Sequence, residues 1–133
     1  MVDAPGPLSG IRVADFSTHA AGPFAGLMMA EMGAQVIKVE SSARLDITRR
    51  PHPMYGKPAP SFEQVNANKM SATLNLKEPR AIELALELAK VSDLVLQSFR
   101  PGVFDRLGFG YEALRKAKPD IILVSLSSNG QSG

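Results

Sequence analysis

The chain has 133 residues, 44% of them hydrophobic and 21% charged, with 15 basic and 13 acidic side chains giving a formal net charge of +2. A chain of this length can bury roughly two thirds of its unfolded surface in one core, and this composition excludes a disordered polyelectrolyte and gives no electrostatic case for a nucleic acid partner. The absence of cysteine excludes disulfides, thiolate zinc sites, iron–sulfur clusters and a cysteine nucleophile, and fits a reducing compartment.

Ile11 to Phe16 (IRVADF) reads as a short buried strand, after which Gly22-Pro23 opens an apolar helix that runs to about Met32 and stops at Gly33. Gln35 to Glu40 follows as the return strand of a parallel crossover. Residues 41 to 70 carry Pro51, Pro53, Pro58 and Pro60 and few apolar runs, so a long excursion is expected there, of the kind that is either functional or disordered. Regular structure resumes with a strand at Ala72 to Leu76 and a helix started by Pro79. Its apolar positions Ile82, Leu84, Ala85, Leu86, Leu88 and Ala89 predict burial over much of its surface. Ser92 to Gln97 is the next strand, Phe99 to Tyr111 a turn-rich stretch with a brief helical piece, Glu112 to Ala117 a short helix, and Ile121 to Leu126 a buried strand. The alternation predicts an α/β fold, a Rossmann-like parallel-sheet unit in one domain. Apolar stretches fall far short of the ~20 residues of a membrane helix, and Met1 to Gly10 lacks a basic flank with an apolar core. A cytoplasmic protein with no membrane partner is expected.

The chemistry open to these residues is narrow. The opening imitates a dinucleotide fold, yet Thr18-His19-Ala20-Ala21-Gly22-Pro23 stands where spaced glycines should admit a pyrophosphate, and no GxxxxGK[ST] loop is present. His19 and His52 are too far apart for helical pairing at a metal, and GxSxG is missing. The helix amino terminus at Gly22 to Ala25 would face the carboxyl edge of the first strand, where α/β proteins place anionic ligands, although Gly22-Pro23 is also a good helix start for local reasons. From Ser41 to Arg80, seven basic residues (Arg44, Arg49, Arg50, Lys57, Lys69, Lys77, Arg80) outnumber three acidic ones (Asp46, Glu63, Glu78), a balance suited to a phosphorylated ligand or to a solvated surface. His19 reads as a ligand contact or a polar loop residue. Phe99 and Arg106 bracket a proline-glycine turn and suit an adenine and a phosphate, or a surface turn with one buried aromatic. Lys77 either holds a phosphate or only precedes the Pro79 helix.

Taken in order, several segments carry a resemblance: Pro7-Leu8-Ser9-Gly10-Ile11-Arg12-Val13, Ala21-Gly22-Pro23, Met32 to Glu40, Asn66-Ala67-Asn68-Lys69-Met70-Ser71, Leu74-Asn75-Leu76-Lys77, Phe99-Arg100-Pro101-Gly102, Asp105 to Tyr111, and Gly130-Gln131-Ser132-Gly133. The chain resembles the amino-terminal portion of the family III CoA-transferases, the CaiB/BaiF type, which include formyl-CoA transferase, the carnitine CoA-transferases and the related α-methylacyl-CoA racemases. The resemblance implies that residues 1–133 are a partial Rossmann-like CoA-binding domain. The rest of the large domain and a small domain would be absent, and full-length subunits would pair as an interlocked homodimer. It implies coenzyme A or an acyl-CoA thioester as substrate with no tightly bound cofactor. The CoA contacts it implies are His19, Ala20, Ala21, Ser41, Leu74, Lys77, Ser98, Phe99, Val103 and Arg106, with Arg44 in place of a basic adenine-stacking residue that Ser41 replaces. Ala67 and Ser98 stand where relatives carry arginine and asparagine.

The resemblance further implies transfer through an enzyme acyl anhydride and then an aspartyl-CoA thioester. That aspartate would follow Gly133, and Asp15, Asp46, Asp93, Asp105 and Asp120 do not occupy its position, so the isolated chain is expected to be inactive. Two alternatives stand beside the transferase: a racemase fragment, against which the wide spacing of Glu40 and Asn66 weighs, and a non-catalytic CoA-binding or assembly subunit completed by a complementary chain.

Overall fold

The computed structural model describes residues 6–50 and 61–130. The prolines between 51 and 60, with His52 and Lys57, and the Gln131-Ser132-Gly133 end of the last motif lie outside the described residues. The elements in chain order are β1 (Arg12–Asp15), α1 (Ala21–Glu31), β2 (Gln35–Glu40), a single 3-10 turn (Ile47–Arg49), α2 (Ser61–Asn66), β3 (Met70–Thr73), α3 (Pro79–Lys90), β4 (Leu94–Gln97), α4 (Val103–Arg106), α5 (Tyr111–Ala117) and β5 (Ile122–Ser125).

The strands form one five-stranded sheet in the order β3-β2-β1-β4-β5, and every neighbouring pair is parallel. This is the predicted Rossmann-like α/β architecture. Successive strands run outward from β1 to β3, then the chain returns to place β4 on the other side of β1. The carboxyl ends of β1 and β4 therefore flank the topological switch point, the crevice where open parallel sheets take ligands.

Both faces of the sheet are covered, which is why the strand cores are apolar on both sides. Val13, Val36 and Leu96 pack with Ala30 and Ala34 from α1 and its exit. Ala14, Val39 and Val95 face Ala85 and Ala89 of α3 and Leu114 of α5. The turn after α1 needs Gly33, whose φ of +96° carries the chain into β2. Beyond the strand ends, four phenylalanines make a connected cluster: ring centroids lie 5.0 Å apart for Phe16 and Phe109, 5.9 Å for Phe16 and Phe104, and 5.2 Å for both Phe104–Phe109 and Phe99–Phe104. The turn-rich stretch after β4 is thus anchored by an aromatic at every fifth position.

Four expectations need correction. The excursion 41–70 contains the 3-10 turn and α2. The third strand begins at Met70, because its register is set by pairing Ile37 with Met70 through to Glu40 with Thr73; the Leu74 N–H still reaches the Glu40 carbonyl at 2.9 Å, and the chain then turns toward α3. Helix α3 fully buries the small stripe Ala81, Ala85 and Ala89, where close approach to the sheet selects alanine; Ile82, Leu86 and Leu88 are partly buried against the same core, and Leu84 alone of the expected positions is exposed, at 43%. Finally, β5 is the edge strand of the described sheet and is only partly buried: Ile121 before it is in the core and Leu123 and Val124 pack against the core, but Ile122 is 56% exposed.

Candidate functional site

The loop from β1 into α1 is held by side chains rather than by regular pairing. Ser17 donates its N–H to Asp15 Oδ1 at 2.9 Å, and its hydroxyl donates to the same oxygen at 2.5 Å. Thr18 N–H donates to Ser98 Oγ at 2.8 Å, and that hydroxyl donates back to the Thr18 carbonyl at 3.1 Å. His19 N–H donates to Asp46, at 3.1 and 3.3 Å from its two oxygens. His19 has a φ of 69°, the left-handed region that a non-glycine residue adopts only under constraint.

Beneath the loop lie four charged side chains that solvent scarcely reaches. Lys69 Nζ sits 2.8 Å from Asp15 Oδ2, with side-chain exposures of 1% and 0%. Lys69 also donates to the Pro23 carbonyl at 2.8 Å and to Asn66 Oδ1 at 2.9 Å, so all three ammonium protons are used. Lys38 lies 3.6 Å from Asp46, with exposures of 3% and 0%, and donates to the Ser17 carbonyl. Burial pulls the Lys69 ammonium below the ordinary lysine range, and Asp15 pulls it back up without fully cancelling the desolvation. Asp46 N–H donates to Glu40 at 3.2 Å, and Glu40 is clasped by Arg49 at 2.6 Å. The Arg49 guanidinium in turn lies 3.4 Å over the Phe62 ring. Burial pushes the Glu40 carboxyl up, but the Arg49 and Asp46 hydrogen bonds outweigh it and hold the group below the usual glutamate range.

All the CoA contacts expected from sequence follow carboxyl ends of strands. His19, Ala20 and Ala21 form the exposed crest of the β1–α1 loop, and Ser98 is bonded beneath it. Ser41 and Arg44 pair in an isolated antiparallel bridge after β2, beside Leu74 at the end of β3. Lys77 and Arg106 line one open cavity of about 370 Å³ whose apolar walls are Leu76, Pro79, Ile82 and Leu107. Phe99 is half-buried against Phe104 and is not among the residues lining that cavity, and Val103 is half-buried. The basic zone is also thinner than its count. Arg49, Lys69 and Arg80 are paired with Glu40, Asp15 and Glu83, whereas Arg44 and Lys77 have no carboxylate partner among the described residues.

Sequence reasoning misses the buried charges. Alternation in β2 is a usable signal, because Lys38 shares a face with Val36, and a lysine in that position must be buried and satisfied. Asp46 carries no such signal, since it lies in an irregular segment.

The model of CoA-transferase family III matches residues 8–133. Among curated proteins, the chain is 40% identical to the acetyl-CoA:oxalate CoA-transferase of Acetobacter aceti over 96% of this chain and 33% of that protein. It is 38% identical to the succinyl-CoA:glutarate CoA-transferase of Mus musculus over 98% of this chain and 30% of that protein. The crystal structure of a hypothetical protein from Mycobacterium tuberculosis superimposes with a TM-score of 0.88 at 38% identity, over 96% of this chain and 35% of that one. The chain spans about a third of the length of the relatives it matches.

Proposed function

The chain belongs to CoA-transferase family III, and from that premise we propose that it is the coenzyme A recognition part of an acyl-CoA:carboxylate CoA-transferase. The observation that carries the reading is the cavity shared by Lys77 and Arg106, two cations over an apolar lining of Leu76, Pro79, Ile82 and Leu107. Cationic side chains over an apolar wall suit a phosphorylated adenosine, with Lys77 and Arg106 on phosphate oxygens and the leucines, Pro79 and Ile82 against the base. Arg44, in its bridge with Ser41, adds a third cation at the same sheet edge, beside Leu74. Phe99 packs on Phe104 of α4, the helix that begins at Val103 and carries Arg106. The crest His19-Ala20-Ala21, with Ser98 below, then receives the pantetheine arm and the thioester at the switch point.

The reaction in this reading is a covalent relay on an aspartate from outside residues 1–133. Its carboxylate attacks the acyl-CoA carbonyl, forming an acyl anhydride and releasing CoA thiolate. The thiolate attacks the aspartyl carbonyl of the anhydride, which releases the donor acid and leaves aspartyl-CoA. The acceptor carboxylate then displaces the thiolate, and the thiolate in turn takes the new acyl group and frees the aspartate. CoA leaves and re-forms its bond twice while remaining bound, so the residues gripping its distant end keep the thiolate at high local concentration. That is the task assigned to Lys77 and Arg106.

In the same reading, residues 1–133 are part of a larger domain, and further polypeptide covers α1. Supporting this, α1 carries no polar side chain before its last residue, Glu31, and Phe24, Met28 and the following Met32 form an outward stripe, 53%, 42% and 40% exposed.

Calorimetric titration of the chain with CoA and a short acyl-CoA tests the assignment. Lys77→Ala and Arg106→Ala are each expected to weaken binding about tenfold, the loss of one charge-assisted hydrogen bond. A folded wild-type chain that binds neither ligand, or variants that bind as wild type does, refutes it.

A further inference from the structure

We propose that Asp46 and Lys38 are positioning residues that hold the β1–α1 loop in its ligand-receiving conformation by gripping the His19 amide and the Ser17 carbonyl; this rests on reading that loop as part of a CoA thioester site. Three consecutive N–H groups, of Ser17, Thr18 and His19, are taken by side chains from three different places: Asp15 at the end of β1, Ser98 after β4, and Asp46 after β2. Regular secondary structure satisfies none of them. The left-handed His19 is the last of the three, and a strained residue persists only where its surroundings over-determine it.

The buried pair is built for the loop rather than for itself. Lys38 and Asp46 are 3.6 Å apart, beyond hydrogen-bond reach. Their hydrogen bonds go elsewhere: Lys38 donates to the Ser17 carbonyl, and Asp46 accepts from the His19 N–H and from the N–H and hydroxyl of Thr48, at 3.0 and 2.8 Å. Each charge neutralises the other, so each can lend its hydrogen bonds to neutral partners without standing uncompensated. Asp46 is itself fixed through its own N–H to Glu40, which Arg49 clasps, so the support runs from the surface at Arg49 to the backbone of His19. A loop preset in this way needs no ordering when a ligand arrives, and apparent affinity falls in proportion to the fraction of molecules that hold the competent conformation.

Two charge-neutral double variants separate positioning from general stability. Lys38→Met with Asp46→Asn removes both charges but keeps an acceptor oxygen for the His19 amide, whereas Lys38→Met with Asp46→Leu removes that acceptor while keeping the same branched four-atom side chain. The leucine double is expected to speed native-state hydrogen exchange at His19 about tenfold over the asparagine double and to weaken CoA binding by about the same factor. Exchange at Val95 and Leu96, in the sheet centre, should be the same in both. Equal His19 exchange and equal CoA affinity in the two folded doubles overturns the proposal. Should the leucine double not fold, the wild-type chain decides: the His19 amide must exchange at least about tenfold more slowly than those of Ala20 and Ala21, for which the described residues offer no acceptor, and equal rates overturn it. A wild-type chain that does not bind CoA defeats the proposed function, while the exchange comparison still decides whether Asp46 holds the loop.

Discussion

Replacing Lys69 by methionine removes an ammonium of closely matching length from the most completely enclosed ion pair in the described residues. It leaves Asp15 as a carboxylate with 0% side-chain exposure and no counter-charge, and it strips the Pro23 carbonyl and Asn66 Oδ1 of their donor. Breaking a buried pair from one side costs about 3–5 kcal/mol. The orphaned acceptors add roughly 1–3 kcal/mol each in isolation, but they share one donor and will not add in full. The expected loss is therefore about 5 kcal/mol, a large part of the ~5–15 kcal/mol available to a domain, with a fall in melting temperature of about 18 °C. Adding Asp15→Asn should restore about half of that loss, since the asparagine removes the lone charge and still accepts from the Ser17 N–H, now 2.9 Å from Asp15. Urea unfolding followed by circular dichroism at pH 7 reads both. If Lys69→Met lies within about 1 kcal/mol of wild type, or the double variant is less stable than the single, the electrostatic account of this floor is refuted.

Gly26→Ala is expected to destabilise by about 1–3 kcal/mol in the same assay, although alanine is the better helix former, because its Cβ would stand 2.8 Å from Asp15 Oδ2 and 2.9 Å from Lys69 Nζ; a gain in stability would count against that close approach. Glu40 and Asp93 are both held below the usual carboxylate range. For Glu40, burial is outweighed by Arg49; for Asp93, the Arg12 N–H at 2.9 Å leads, and Lys118 adds to it. A depressed carboxyl binds fewer protons folded than unfolded, so its contribution is complete at neutral pH and is lost as pH falls through and below about 4. Glu40→Gln should accordingly be less stable than wild type at pH 7 and converge toward it at pH 3; a constant difference across that range would rule out Glu40 as a source of the acid sensitivity.

Much of the sheet is legible in the residues themselves. The apolar pattern bounds β2 correctly at Gln35 and Glu40, the helix opened by Pro79 runs from that residue, and Gly33 ends the turn after α1. These features rest on local physics: a run of β-branched residues, a proline at the first helical turn, and a glycine where φ must be positive. The displaced elements depend on distant partners instead. Whether β3 starts at Met70 or Ala72 is decided by its register against β2, and the burial of α3 is decided by how closely alanine lets it approach the sheet. The outer edge at β5 reads as core for a related reason, since a short apolar run does not reveal how many neighbours it has.

The residues proposed to meet the ligand and the residues beneath them differ in the same way. Lys77 and Arg106 can be singled out because they sit beside recognisable punctuation, the Pro79 helix start and the Pro101-Gly102 turn, and the fold brings both to one cavity. The residues holding His19 in place carry no such punctuation. Asp15, Lys38, Asp46 and Lys69 come from four separate segments, and their common destination beneath one loop exists only once the β1–β2 and β2–β3 pairings are formed. Burying four charges is tolerable because they are two of each sign and every one is hydrogen-bonded, Asp15, Lys38 and Asp46 to the loop backbone and Lys69 to the Pro23 carbonyl and Asn66, and the same arrangement makes the loop's conformation conditional on the whole sheet edge. The Asn66-Ala67-Asn68-Lys69 segment illustrates the point. Asn68 takes a left-handed φ of 59°, its side-chain amide reaches the Ala30 carbonyl at 3.3 Å, and the chain is thereby turned so that Lys69 enters the interior. A motif that counts in sequence as part of a basic zone is, in the fold, the device that delivers a cation beneath the β1–α1 loop.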